Sequence, residues 1–491
     1  MKNPVIIFLV TVLLLANACK PKDKSLIIKF EGSSFEQKWA ISDLNPDFPS
    51  DWSGYGFLTF DMNASSTQRF FINLYDKEGM RRLRVLPFQG AWVRASIPLA
   101  NFQKRNVVGQ DMAAIGQKGM PGYGLGFTGS VGFIKNIDSL GILMENPMGS
   151  PVLEVRNMRL TMNPEDSILS PVPLVDEFGQ WIPDEWPGKA RNIEDLRAAW
   201  NEEDKALQTN RFNVSKYGGF LETKSRASGY FRVEKIDGKW WFIDPEGHYF
   251  ISAGSTGINP GGSFARTEGR EMELINVILV GEDTPMKAAL QKFLSGGDTP
   301  ERRRQFVYDT YTIFIKMVNG AIKKYDPNHL NLGLRFGGHP PEDLVMASAS
   351  VGFDVFSLNI YNYSAESVLL KRIDEMTGLP IIIGEFHFGT AERGLSPGLR
   401  QTISQEERGV AYRYYVENAV AHPSLIGTHW FQWWDQPSTG RGDGENYNIG
   451  FIDVTDRPYK ELVDAARETH SRLLEIHSGK IPPVSRQAVT Q

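Results

Sequence analysis

"LPIIIGEFHFG", residues 379–389, decides how the chain is read. Three consecutive isoleucines describe a strand buried on both faces, since a strand with one wet face alternates. Gly384 follows, and Glu385 ends the strand. A carboxylate directly after buried apolar residues is expensive to place away from water or a partner. It is either a surface glutamate beyond the strand or a group standing where chemistry is done.

Working outward, "HYFISAGST" (248–256), "LNLGLRFG" (330–337), "DVFSLNIYNY" (354–363) and "IGTHWFQWWDQP" (426–437) have the same character. Helical stretches separate them. In 305–324, Phe306, Ile313, Phe314, Met317 and Ala321 recur at helical spacing, and Thr299-Pro300 offers a cap and a first position. Alternation of this kind means parallel strands with covering helices. The strands end in Arg335, in Asn359 and Tyr361, in Glu385 and His387, and in Trp430, Gln432, Trp433 and Trp434. In a (β/α)₈ barrel the active site is built from such C-terminal strand ends.

The front of the chain has another pattern. Residues 26–165 carry short alternating segments such as "YGFLTFDM", "QRFFINLYD" and "VLEVRNMRL", split by Gly, Pro, Asn and Asp. They predict an antiparallel β-sandwich or jelly roll of the carbohydrate-binding kind. Trp39, Trp52 and Trp92 either stack on sugar or fill its core. Residues 166–215 read as an ordered, proline-rich linker with a charged helix over 191–209. In "EKIDGKWWFI" the Asp237-Gly238 pair predicts a tight hairpin. Residues 216–475 hold the barrel pattern, and 476–491 form a tail.

Residues 1–18 carry one Lys and an apolar run too short to span a membrane, as in a secretory signal. Cys19, the chain's single cysteine, follows at once. It reads as a lipidation site with 19–25 as a polar tether, although "ANA" also suits an ordinary cut before Cys19. Export is expected either way: to the outer membrane or cell surface with the lipid, to the periplasm or medium without it. A single cysteine allows no internal disulfide.

The chain has 491 residues, 41% hydrophobic and 23% charged, with a net charge of −5. No basic stripe is present, which argues against a nucleic-acid partner. No His/Cys set has metal-ligand spacing, and "GINPGG" lacks the lysine of a phosphate loop. The 11 Trp and 16 Tyr suit either a large core or sugar binding.

At this point "WWFIDPEGHYFISAGSTGINP", "VDEFGQWIPDEWPGK", "KYDPNHLNLGLRFGG", "IGEFHFG" and "NYNIGFIDVTDRPYKELV" resemble clan A glycoside hydrolases, most closely the β-agarases of family 50. The resemblance implies a retaining hydrolase of β-1,4-galactosidic links in an agar-type polysaccharide, with no cofactor. It makes Glu385 the nucleophile and Tyr361 the residue that orients it. Arg335, Asn359 and His387 become sugar hydrogen-bonders. Trp430, Trp433 and Trp434 become candidates for the sugar platform.

The pattern breaks at the second carboxylate. In the clan it follows an Asn at the end of strand four, and the barrel segment holds no Asn-Glu pair. Asn201-Glu202, the chain's one such pair, lies in "AAWNEEDKAL", a charged helix ahead of the barrel. A barrel of about 250 residues spends roughly 31 on each unit, so strand one to strand five needs roughly 125. Thr256 to Leu330 supplies about 74, by the numbering alone. The expectation is therefore an incomplete barrel lacking strands two to four, truncated near 257–274. Glu268, Glu271, Glu273 and Glu282 lie near the join in no matching motif. The chain is expected to be impaired, or to be a non-catalytic glycan-binding lipoprotein.

Overall fold

The computed structural model describes residues 25–103, 122–126, 129–170, 173–207, 212–257, 285–440 and 445–490. The expected signal, Cys19, most of the join and its four glutamates fall outside those residues.

The front unit is two five-stranded antiparallel sheets. Its strands are β1 (Leu26–Lys29), β2 (Ser34–Ala40), β3 (Phe57–Ala64), β4 (Phe70–Asp76), β5 (Gly79–Pro87), β6 (Val93–Pro98), β7 (Tyr123–Gly126), β8 (Ser139–Glu145), β9 (Val152–Thr161) and β10 (Ser167–Ile168). One sheet runs β1-β9-β3-β6-β10 and the other β2-β8-β4-β5-β7. Leu153 and Val155 of β9 alternate inward with Phe60 and Met62 of β3, and one core joins the two sheets. β10 pairs with β6, so the sandwich takes in two residues assigned above to the linker. The rest of the linker is ordered: Trp181 is fully buried in the sandwich core, edge-on to Phe88.

Helix α1 (Ile193–Leu207) and the hairpin β11 (Arg232–Ile236)/β12 (Lys239–Ile243) follow. Asp237 and Gly238 take φ of 51° and 80°, the left-handed pair that a two-residue turn demands. β13 (Tyr249–Phe250) pairs with β12.

The second large unit is a parallel sheet of β14 (Ser252–Ser255), β15 (Arg335–Gly337), β16 (Phe356–Asn359), β17 (Ile381–Phe386) and β18 (Leu425–Trp430), in the order β14-β18-β17-β16-β15. The helices are α2 (Pro285–Leu294), α3 (Pro300–Tyr325), α4 (Glu342–Ser350), α5 (Ser367–Thr377), α6 (Gln405–Val420) and α7 (Lys460–Ser478). Among the described residues β14 and β15 are the edges.

The isoleucine triplet is buried on both sides, as its composition demands. Ile381 and Ile383 pack with Leu370 of α5 and Tyr415 and Val416 of α6. Ile382 joins Phe242, Val355 and Ile426 on the opposite face, which the hairpin covers. Full burial of each such side chain is worth about 1.5–3 kcal/mol.

Helix α3 starts where expected, with the Thr299 side chain accepting from the Arg302 N–H at 3.3 Å. Its expected apolar stripe needs correction. Met317 and Ala321 are exposed, and the buried contact is made by Ile315 with Val351 and Phe353. The helix packs through α4 and the loop after it, where the Asn319 amide donates to the Val351 carbonyl at 2.7 Å.

The tail is ordered against α6. Glu417, fully buried, accepts from the Val484 N–H at 3.1 Å, and Glu407 accepts from the Val489 N–H at 2.7 Å. Arg486 reaches Glu407 at 2.5 Å. These contacts pair carboxylates that would otherwise be costly to bury.

Candidate active site

A break in strand alternation sets the site's geometry. With strict period two, Glu385 would share a face with Ile381 and Ile383, under the helices. Instead the register slips between Ile383 and Phe386, and Asn359 pairs with Glu385 after Leu358 pairs with Ile383. Phe386 takes the helix side, stacked on Tyr415 at 4.3 Å between centroids. The irregularity turns the Glu385 carboxylate to the other face, as bulges near functional sites do.

There Glu385 is held at both oxygens. The Tyr361 hydroxyl donates to Oε2 at 2.7 Å, and Arg335 Nη1 donates to Oε1 at 3.2 Å. The carboxylate side chain is 22% exposed and the guanidinium side chain 40%, so both are reachable from solvent. Gly384 makes the pairing possible, because a Cβ there would overlap the Arg335 side chain. The Asn359 Oδ1 beside it is buried without a hydrogen-bond partner among the described residues.

Three candidates are buried. His387 is 1% exposed, with Nδ1 donating to the Phe431 carbonyl at 3.0 Å and Nε2 accepting from the Leu399 N–H at 2.9 Å. Both ring nitrogens are spent on backbone groups, so neither is left for the sugar hydroxyl that the sequence assigned to His387. Burial lowers its pKa to about 3. Trp430 is fully buried, donates from Nε1 to the Ile449 carbonyl at 2.7 Å, and packs on Phe386, Tyr412 and Phe451. It follows Phe386 onto the helix-covered face and offers no platform. Trp52 is also core, with its indole N–H donating to the Pro49 carbonyl.

The remaining aromatics are partly open. Trp433 is half-buried against Phe451, and the Trp434 indole donates to Asp456 Oδ1 at 2.9 Å. In the sandwich, Trp39 is packed partly on the core, and the Arg156 guanidinium covers Trp92 at 3.9 Å.

Four polar residues near the strand ends escaped the sequence reading. His339, just after β15, meets Glu366 Oε2 at 2.7 Å, and the Asn362 amide donates to Glu366 Oε1 at 2.9 Å. His429 of β18 shares a 2.9 Å hydrogen bond with Ser252, and burial, with Arg335 nearby, lowers its pKa to about 4. Their positions, from the penultimate residue of a strand to seven residues beyond one, were the available signal.

Asn201-Glu202 is remote. Glu202 lies on α1, 74% exposed, and pairs with Lys205. Among the described residues no three His, Cys, Asp or Glu side chains gather as a metal site, and no helix is long and apolar enough to cross a membrane.

No protein-family model matches the chain. Over 164 residues it is 44% identical to β-agarase A of Vibrio sp. (strain JT0107), and over 163 residues 40% identical to β-agarase B of the same strain. Each match covers 32% of this chain but 16% of the relative, so the chain matches about a sixth of their length. Among solved structures, an agarase named AgWH50C aligns over 92% of this chain and 95% of its own, with a TM-score of 0.58 and 22% identity. An exo-β-agarase aligns over 93% and 97%, with a TM-score of 0.59 and 20% identity. The chain is thus a multi-domain protein of mixed sheets and helices, similar in fold to agarases of known structure.

Proposed function

We propose that this chain is a β-agarase-like retaining glycoside hydrolase for β-1,4-galactosidic links of an agar-type polysaccharide, impaired by loss of its acid/base segment. One observation carries this: a carboxylate at the mouth of an apolar parallel strand, gripped by Tyr361 and Arg335. The likeness to the Vibrio β-agarases over a third of the chain supports the choice of sugar. The front sandwich is read as a jelly roll of the carbohydrate-binding kind. The five parallel strands are read as the first and the fifth to eighth of a (β/α)₈ barrel.

In this scheme the Glu385 carboxylate attacks the anomeric carbon and Tyr361 fixes its orientation. Arg335 and Asn359 bind sugar hydroxyls, and Trp433 and Trp434 line the approach. No metal or organic cofactor is required. Cys19 would carry the lipid that holds the exported chain to a membrane surface.

A retaining hydrolase needs a second carboxylate about 5–5.5 Å from the first, to protonate the leaving oxygen and later activate water. Without it a loss of roughly 10²–10⁴-fold is expected. The surface position of Glu202 favours the second reading, a glycan-binding protein without turnover. Assays on agarose and on a nitrophenyl β-galactoside decide between them. Turnover that disappears in Glu385→Gln supports the hydrolase. Glycan binding with no turnover on either substrate supports the binder. Neither binding nor turnover by folded protein overturns both.

A further inference from the structure

We propose that the cleft between the sandwich and the parallel-sheet unit is a subsite for an anionic substituent, a sulfate ester or a carboxylate, carried by the bound galactan. The proposal rests on the glycan reading above and specifies the polymer further.

The cleft encloses about 380 Å³. Arg69 and Arg84 line it from the sandwich, and Tyr363 and Arg400 from the other unit. Three guanidinium groups thus share one wall system. None of the three joins an ion pair among the described residues, where the pairs run from Arg82 to Arg94 and from Arg393 to Arg413. Glu145 is the single acid among the lining residues, and it is engaged by Arg82 Nη1 at 3.0 Å.

The cluster is built into the fold. Arg84 pairs in register with Gly126 of β7, and a Cβ at Gly126 would overlap its guanidinium. The Arg84 Nε is buried without a hydrogen-bond partner among the described residues. The Arg400 guanidinium lies 5.9 Å from the Tyr363 ring centroid. Burial lowers the Arg69 pKa to about 10; Arg84 and Arg400 add to that, and Tyr447 opposes it. Unpaired like charges in one partly desolvated cleft cost the free protein stability. An anion accepting from their forked N–H groups would reverse that cost, since guanidinium suits both sulfate and carboxylate.

The cleft adjoins the candidate active site. Tyr363 is two residues beyond Tyr361, which holds Glu385, and the N–H of Leu399 on the cleft wall binds His387. A polymer long enough to reach from Glu385 to the cleft would bring one of its substituents among the arginines.

The test is calorimetric titration of the full chain with matched galacto-oligosaccharides: neutral, 6-O-sulfated and carboxyl-bearing. Inorganic sulfate serves as a fourth probe. At least one anionic oligosaccharide should bind about tenfold more tightly than the neutral one, an advantage that shrinks with added salt. The sulfated and carboxylated arms identify the anion. In Arg69→Gln/Arg400→Gln, checked for unchanged melting temperature, the anionic sugar should fall to the neutral sugar's affinity while the neutral sugar is unaffected. Inorganic sulfate competing only with the anionic sugar is a further supporting result. Equal affinity for neutral and anionic sugars would overturn the subsite and leave the glycan reading standing. If no sugar binds, both fall.

Discussion

The side chain of Arg335 occupies the space that a Cβ on Gly384 would require. The glycine is therefore a fitting for the guanidinium that crosses the strand to Glu385, and not a turn signal. Gly384→Ala is expected to displace the guanidinium end of Arg335, a flexible, partly exposed group that can move at small cost in stability. Oligosaccharide affinity should fall in Gly384→Ala and in Arg335→Ala alike, with melting temperature little changed in either. Unaltered affinity in Gly384→Ala would contradict the packing described.

Tyr361→Phe keeps the ring against His387, at 4.8 Å between centroids, and removes the hydroxyl from Glu385. A hydrogen bond to a charged group is worth about 1.5–3 kcal/mol. Turnover of an aryl β-galactoside should drop about 10- to 100-fold, with melting temperature little changed. Steady-state kinetics check this, and an unaltered kcat/KM would remove Tyr361 from the mechanism.

A missing acid/base group should show itself through the leaving group. A dinitrophenyl galactoside departs without a proton, so Glu385 alone can be glycosylated by it. Breakdown then lacks a general base and should be slow, and azide should accelerate it by direct attack. The expected trace is a burst of dinitrophenolate, with negligible sugar release from agarose. Comparable rates on agarose and on the aryl glycoside would mean that a second carboxylate is in place.

The two neighbouring tryptophans should separate cleanly. Trp430→Ala empties a fully buried site and should cost about 3–5 kcal/mol. Trp433→Ala, at a half-buried position, should weaken oligosaccharide binding more than it weakens the fold. Urea unfolding and titration calorimetry on each variant read both effects.

Acid should destabilise the fold above the range where carboxylates titrate. Burial lowers His387 to about 3, and His429 and His470 to about 4, from an ordinary 6.5. The unfolded chain therefore binds more protons than the folded one below pH 6.5, and the stability conferred by the neutral rings is lost as pH falls. From pH 6.5 to 5, His387 alone accounts for about 2 kcal/mol. Urea unfolding should give a lower stability at pH 5 than at pH 7 by at least that amount, to which an ordinary surface histidine contributes nothing. His387→Gln should flatten the slope.

Much of this was written in local pattern. Apolar runs with helical stretches between them define the parallel strands, and Asp237-Gly238 and Thr299-Pro300 mark a turn and a cap that the structure contains. The slip between Ile383 and Phe386 was not legible, because an alternation break leaves no residue signature in an all-apolar run. That slip decides which strand-end residues reach Glu385 and sends Trp430 inward. His387 stood out in the sequence, but its role was not legible for a related reason: its partners are backbone groups of residues 399 and 431, distant in sequence. The stripe on α3 held at Phe306 and Phe314 and failed at Met317 and Ala321, because helical spacing names an apolar face without saying what, if anything, covers it.

The strap formed by residues 484–489 sets an order of events for the newborn chain. Helix α6 emerges during synthesis with Glu417 paired only to Arg413 of its own helix, and the backbone partners of Glu417 and Glu407 at 484 and 489 are made 67 and 82 residues later. Full pairing of both buried carboxylates therefore waits on residues made well after the helix itself.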